Sequence, residues 1–264
     1  MDFQGEFRGK GVVVTGACGV IGGWLAEAFA AEGARLCLSD ARADRLAETA
    51  AALGADGPGH LTHATELTDA GSVADLVAHV RAAWGAPDIV VNNAAVYPSG
   101  FLLDIDVAEW DRIMGVNLRA PFLVAQGFAR AMIETGRKGS IVNVSSGAAR
   151  SMRKSVVPYC TSKTALDRFS RGLALELAEH GIRVNLVEPG FAPGSEVSEL
   201  PAEHVAAVSA NVPLGRTSQP GDAAAAVLFL CSAQAGYITG ANLAVDGGNS
   251  LGSQVVYQAK KTAP

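Results

Sequence analysis

Cysteine is scarce: four residues in a chain of 264, Cys18, Cys37, Cys160 and Cys231, none in C-x-x-C spacing. That excludes a disulfide framework and a thiolate zinc site, and it is the usage expected of a reducing, cytoplasmic compartment. Histidine is nearly as sparse, with five residues and no H-E-x-x-H or comparable cluster, so no metal site is expected. No apolar run approaches the ~18 residues of a membrane-spanning helix. The first ten residues, MDFQGEFRGK, lack the apolar core of a signal peptide. Positive charge is not in excess either, since 21 Lys and Arg stand against 26 Asp and Glu. A nucleic-acid binder's electrostatic footprint is therefore missing, and neither nucleic acid nor membrane is an expected partner.

What the chain has is apolar residues, 49% of the total against 18% charged, and a length sufficient for one large core. Short runs rich in Val, Ile and Leu, at 11–15, 34–39, 60–65, 88–92, 140–144, 183–187 and 242–245, predict strands. Between them, amphipathic Ala-rich segments at 21–32, 43–53, 70–84, 107–133, 158–180 and 221–231 predict helices. Continuous apolar strands alternating with helices imply an α/β fold, a doubly wound parallel sheet of about seven strands covered on both faces. There is no second core, repeat or low-complexity segment, so residues 1–264 are expected to form a single domain. Two stretches break the rhythm: 191–216, rich in Pro, Gly and Ser and long enough for a substrate lid, and a polar tail at 249–264.

The chemistry is expected between residues 145 and 163. Tyr159 and Lys163 are four apart in a helical pattern, which puts phenol and ammonium on one face, one turn apart. Forming a phenolate at neutral pH from a pKa of ~10 costs roughly 4 kcal/mol. A lysine cation ~4 Å away, at an effective dielectric of ~20, returns about that much. Such a pair could move a proton at neutral pH, and Ser146, just past the run ending at Val144, could hold a substrate oxygen beside it. The plainer alternative is a partly exposed helical Tyr with a solvated Lys. A serine hydrolase is a poor reading, because Ser146 is not in a G-x-S-x-G elbow.

The first strand runs into TGACGVIG at 15–22 and then a helix. Glycines at a strand-to-helix turn let the backbone approach a pyrophosphate that the helix N-terminus attracts, although a tight structural turn is the alternative. Asp40, at the end of the second strand, could accept hydrogen bonds from an adenosine ribose diol and would repel a 2′-phosphate; a loop or N-cap Asp is the alternative. Arg42 is the one feature that would favour the phosphorylated cofactor.

Together these motifs resemble the classical short-chain dehydrogenase/reductase family over nearly the whole chain. The marks are TGACGVIG, NNAA at 92–95, Asn117 in GVNL, Ser146 thirteen residues before YCTSK at 159–163, PG at 189–190, and YITGANLAVDGG at 237–248. The resemblance implies a Rossmann-like fold, with Tyr159 as general acid–base and Lys163 as its pKa modulator and nicotinamide-ribose ligand. It further implies Ser146 on the carbinol or carbonyl oxygen and Asn117 positioning a water in a proton relay. Gly16, Cys18, Gly19, Val20 and Ile21 would surround the pyrophosphate, Asp40 the ribose, and Glu66 and Leu67 the adenine. Asn93, Ala94 and Ala95 would line the cofactor channel, and Pro189, Gly190 and Ala192 would meet the nicotinamide. Three positions depart from the family pattern. Val20 replaces the middle glycine, NNAA replaces NNAG, and Gly194 stands where a Thr is usual, which would pass carboxamide contacts to Ser195 or to backbone.

The function implied is hydride transfer between NAD and a secondary alcohol or ketone, run toward oxidation. The runner-up is an NADPH-dependent reductase similar to the 3-oxoacyl-thioester reductases, and a cofactor-sensing or scaffold protein without turnover is the third reading. A homotetramer is implied, with segments 107–133 and 158–180 pairing across one two-fold axis and the last strand, near Leu243, across another. Finally, Arg150, Arg153 and Lys154 put three cations into five residues of an acidic chain. They could hold a substrate carboxylate or phosphate, or be a solvated loop, or pair across a subunit contact.

Overall fold

The computed structural model describes residues 3, 5–97, 100–194 and 201–252. Seven strands form one sheet: β1 (Gly11–Thr15), β2 (Arg35–Asp40), β3 (Leu61–Ala64), β4 (Ile89–Asn92), β5 (Ser140–Val144), β6 (Arg183–Pro189) and β7 (Asn242–Val245). Every neighbouring pair is parallel, and the order is β3-β2-β1-β4-β5-β6-β7. The direction of winding reverses between β1 and β4, so the connections leaving their carboxyl ends diverge and open a crevice there.

The helices are α1 (Val20–Ala31), α2 (Ala43–Ala52), α3 (Ala70–Trp84), α4 (Val107–Met114), α5 (Ala120–Glu134), α6 (Val157–Leu177), α7 (Ala202–Ala210) and α8 (Pro220–Cys231). Period-two alternation divides the strands between two cores. Val12, Val14, Leu36, Leu38, Val142 and Val187 pack with Leu25 and Phe29 of α1 and with Val227 of α8. Val13, Cys37, Val90, Ile141 and Val184 point the other way, onto Leu76 and Val80 of α3 and Phe128 and Met132 of α5. Each fully buried Leu, Ile or Phe contributes roughly 1.5–3 kcal/mol. Strands buried on both faces must read as unbroken apolar runs, and β1, β4 and β5 are buried throughout.

Two expectations about helices are corrected. The single helix expected at 107–133 is interrupted by a π turn, Gly115–Arg119, between α4 and α5. The local cause is Pro121, which has no N–H to close the α-type bond onto the Asn117 carbonyl four residues earlier. The stretch 191–216, where a substrate lid but no helix is expected, contains α7; its Pro-, Gly- and Ser-rich flanks hid the AEHVAAVSA run. Residues 195–200, within that stretch, and 253–264 of the tail lie outside the described residues, as does Ser195 with its expected carboxamide contact.

Two glycines shape the turn from β1 to α1. Gly16 has φ +63, and a Cβ there would sit 2.8 Å from Ala94 Cα. A Cβ on Gly22 would run into the Gly16 carbonyl oxygen and sit 2.7 Å from Asn93 Nδ2, whereas one on Gly23 would meet only the Ala17 carbonyl oxygen, at 3.8 Å. Gly22→Ala should therefore destabilise the fold by about 1–3 kcal/mol or more through overpacking. Gly23→Ala should be neutral or stabilising by up to about 1 kcal/mol, as for a helical Gly→Ala change. Denaturant unfolding of the two variants beside wild type checks the contrast, and equal effects would contradict it.

Candidate active site

The crevice is built first from backbone. Gly19 caps α1 with no side-chain hydrogen bond, no acid stands in the first turn, and Gly19 is exposed. The first N–H groups of a twelve-residue helix thus face the opening with a positive dipole end behind them. Cys18, Val20 and Ile21 are half-buried along its edge. Asn93 fixes this turn to β4, its Nδ2 donating to the carbonyls of Thr15 (3.0 Å) and Gly16 (3.1 Å). The N–H groups of Asn93 and Ala94 both donate to Thr15 Oγ1, at 3.1 and 3.2 Å. Val20 occupies the first helical position, where its β-branched side chain narrows the approach but leaves the backbone N–H groups uncapped. A pyrophosphate fits this donor set.

Asp40 lies at the carboxyl end of β2, beside that turn. Its Oδ2 accepts from the Cys18 N–H (3.1 Å), and its Oδ1 accepts from Arg42 N–H (3.2 Å) and Arg42 Nε (3.1 Å). The carboxylate therefore closes the glycine turn, and the Arg42 guanidinium is drawn onto it. Glu66 follows β3, and its carboxylate folds back onto Thr68 N–H (2.9 Å) and Oγ1 (2.6 Å), which holds its pKa below the usual carboxylate range. Leu67 packs against the core beneath. Pro189 ends β6; Gly190 N–H donates to Val245 O at 2.9 Å, and a Cβ on Gly190 would crowd Asp246. Ala192 is half-buried, and Gly194 has φ +97, a conformation that strains the Thr usual in the family. Beside these residues a cavity of about 480 Å³ runs between Gly190, Phe191, Leu214 and Asp246.

The four candidate catalytic residues come together at the carboxyl end of β5. Tyr159 and Lys163 are buried on α6, 8% and 2% exposed. The Ser146 hydroxyl caps the turn Gly147–Ala149 and stands close enough to the Tyr159 phenol to favour its ionised form. Lys163 Nζ donates to Val144 O at 2.8 Å, tying α6 to the strand that delivers Ser146. Asn117, in the π turn, holds residue 96 from both sides: its Oδ1 accepts from Val96 N–H (2.8 Å) and its Nδ2 donates to Val96 O (3.0 Å). Asn117 Nδ2 also donates to Ser162 Oγ (3.1 Å), and Ser162 Oγ donates to Tyr159 O (2.7 Å). Helix α6, the π turn and the end of β4 are thus one hydrogen-bonded unit.

A family model described as enoyl-(acyl carrier protein) reductase matches residues 16–250. Sorbitol dehydrogenase of Cereibacter sphaeroides is 34% identical over 91% of this chain and 97% of its own. The (3R)-3-hydroxyacyl-CoA dehydrogenase of Canis lupus familiaris is 36% identical over 92% of this chain and 97% of its own. The structure of 3-ketoacyl-(acyl-carrier-protein) reductase from Brucella melitensis, complexed with NADH, superposes with a TM-score of 0.83 at 30% identity, covering 92% of this chain and 99% of that one. The chain belongs to the short-chain dehydrogenase/reductase family. It is an oxidoreductase of the NAD(P)-dependent kind that acts on CH–OH groups.

Within this short-chain dehydrogenase/reductase, two electrostatic expectations are corrected. Lys163 Nζ donates to the Val144 carbonyl and lies 5.8 Å from the Tyr159 ring centroid, yet burial and not the ammonium decides the phenol's pKa. Burial pushes the Tyr159 pKa up to about 12, outweighing the Ser146 hydroxyl, and burial pulls Lys163 down to about 8. Arg150, the first of the three loop cations, is paired with Glu188, its Nε 2.9 Å from Oε2 of a carboxylate whose side chain is fully buried. Glu188 was not legible as a partner because it lies on β6, while Arg150 follows β5. Tyr97 was also missed: its ring packs edge-on against Tyr159 with centroids 4.5 Å apart. An aromatic two residues beyond NNAA was the available signal. A cavity of about 720 Å³ at the amino ends of β4, β5 and β6, beside Asp88, Ser140 and Arg183, contains none of these residues and is remote from the chemistry.

The neutral form of Tyr159 is favoured in the folded protein, so its phenol should ionise near pH 12 when no dinucleotide is added. Between the unfolded value of ~10 and that folded value the unfolded chain binds fewer protons, so this tyrosine lowers stability as pH rises through the interval. An ultraviolet phenolate titration of wild type minus Tyr159→Phe reads it directly. A Tyr159 transition near neutral pH would contradict the burial argument.

Proposed function

We propose that this enzyme oxidises a secondary alcohol with NAD, Tyr159 acting as general acid–base. The carrying observation is the burial of Tyr159 and Lys163 on α6 beside Ser146, with Asn117 bonded to the same helix through Ser162, adjoining a turn suited to pyrophosphate. When bound, the dinucleotide supplies a hydride acceptor. Gly16, Cys18, Gly19, Val20 and Ile21 would hold its pyrophosphate and Asp40 its adenosine ribose. Glu66 and Leu67 would flank the adenine, Asn93, Ala94 and Ala95 the channel, and Pro189, Gly190 and Ala192 the nicotinamide. Tyr159 and Lys163 would bind the second ribose.

The chain's own part is proton movement. Ser146 would orient the carbinol, and Tyr159, after giving its own proton to solvent, would take the carbinol proton as phenolate. The buried position excludes water and makes a charge near the phenol act at low dielectric. Lys163, whose burial brings its pKa to about 8, can release or hold a proton close to physiological pH, and Asn117 ties the Tyr159 backbone through Ser162 to the end of β4. Tyr159→Phe should lower kcat by about two to four decades while dinucleotide affinity stays within a few fold. Turnover near wild type would sink the assignment.

NAD is favoured because the Asp40 carboxylate stands where a 2′-phosphate would need a cation. The second reading, an NADPH-dependent reductase of 3-oxoacyl thioesters, draws on Arg42, whose guanidinium already sits at the same place. We expect kcat/KM for NAD to exceed that for NADP by one to three decades, at about 1.4 kcal/mol per decade. Asp40→Ser should narrow the gap by removing the carboxylate that repels a 2′-phosphate. Equal efficiency in wild type would favour the second reading. We further propose a cytoplasmic homotetramer. Phe122 of α5 pairs with Phe169 of α6 at 6.1 Å, and Leu175 of α6 is 80% exposed, which is apolar surface suited to a partner. Light scattering at micromolar concentration that returned a monomer would refute it.

A further inference from the structure

The loop from β5 to α6 carries Arg150, Arg153 and Lys154, and the structure separates their roles. Arg150 is bound to Glu188; removing it would strand a buried carboxylate, so it is not available to a ligand. Arg153 and Lys154 are exposed, and neither has an ion pair among the described residues. Of the two, Arg153 is the one whose charge acts on the Tyr159 phenol. The loop is held in place: Gly100 N–H donates to Ser155 O at 2.7 Å, and Ser155 has φ +64, a left-handed conformation costly for a residue with a side chain. Such strain, two residues after an exposed Arg and four residues before the acid–base Tyr, is the kind retained at functional sites.

The Gly100–Ser155 bond also joins this loop to the segment after β4. That segment begins with Tyr97, 53% exposed and packed on Tyr159, and continues through exposed Phe101, Leu102 and Leu103. Met152, next to Arg153, is 66% exposed. These side chains offer apolar surface and one cation, not the row of donors and acceptors that a polyol's hydroxyls require.

We propose that Tyr97 and Arg153 clamp the substrate, selecting a secondary alcohol with an apolar group on one side of the carbinol and a carboxylate on the other. This rests on the alcohol-oxidation reading and names its substrate class. The guanidinium takes the carboxylate, Tyr97 covers the apolar group, and the carbinol lies between them at Tyr159 and Ser146.

The test compares mandelate and 3-hydroxyoctanoate, each with its methyl ester, and sorbitol. Both kcat/KM and calorimetric affinity are measured, the latter also in a Tyr159→Phe background that cannot turn over. In wild type the acid should exceed its ester by about 10- to 150-fold, mainly through KM, the range for one charge-assisted hydrogen bond. Arg153→Ala should erase that ratio and Arg153→Lys restore part of it, while Tyr97→Ala should weaken acid and ester alike. An ester equal to its acid, a ratio untouched by Arg153→Ala, or sorbitol as the preferred ligand would overturn the clamp. An acid-over-ester affinity gap that Arg153→Ala removes, without turnover of any of the five compounds, would support the clamp and overturn the oxidation reading instead.

Discussion

The hydrogen bond from Lys163 to the Val144 carbonyl is the contact on which the rest of the site depends. It places an ammonium where almost no water reaches, at a cost visible in the lysine's lowered pKa. An uncompensated charge there would be expelled, so the carbonyl at the end of β5 must stay where it is. That in turn fixes the start of the Ser146 turn and the height of α6 above the sheet. Tyr159, one helical turn back, is then carried to the side of Ser146.

Around that contact a chain of buried polar side chains is paired across the sheet. Asn92 donates to Asn143 at 2.8 Å, and Asn143 donates to Ser170 at 2.7 Å, crossing from β4 through β5 to α6. Asn117 and Ser162 continue the same logic at the mouth. Glu188 is the exceptional case, a carboxylate with no exposed side-chain surface. It is held by Arg150 and by Asn242 Nδ2 at 2.6 Å, and Asn242 also reaches Asp167 on α6. Breaking one partner of such a set costs several kcal/mol, more than the intact set contributes, so it specifies geometry rather than adding stability. It sets the height of the loop that carries Arg153.

The glycine turn illustrates how far a departure from a motif can go without loss of design. Val20 replaces a glycine, but Gly16 and Gly22 stand where a Cβ would collide with backbone or with Asn93, and both are kept. Position 19, which faces the opening, is the glycine that leaves room for a ligand. Space near the turn, not the number of glycines, is conserved by the fold's geometry.

The order of elements and both faces of the sheet were legible in the sequence, and the candidate catalytic residues it named are brought together at the carboxyl end of β5. Each rests on local periodicity or on residue types at fixed spacing, which survive any tertiary detail. Pro121 even carried the cause of the π turn, because a missing N–H is a local fact. The charge states of the site were not legible. Whether Lys163 lowers the phenol's pKa depends on which carbonyl its flexible stem reaches, and Val144 belongs to a strand nineteen positions away. The fate of Arg150 was decided by Glu188 on β6, and the company of Tyr159 by Tyr97 beyond β4. Coulomb and burial energies change several-fold over a few ångströms, and those few ångströms are set only when the sheet brings distant segments side by side.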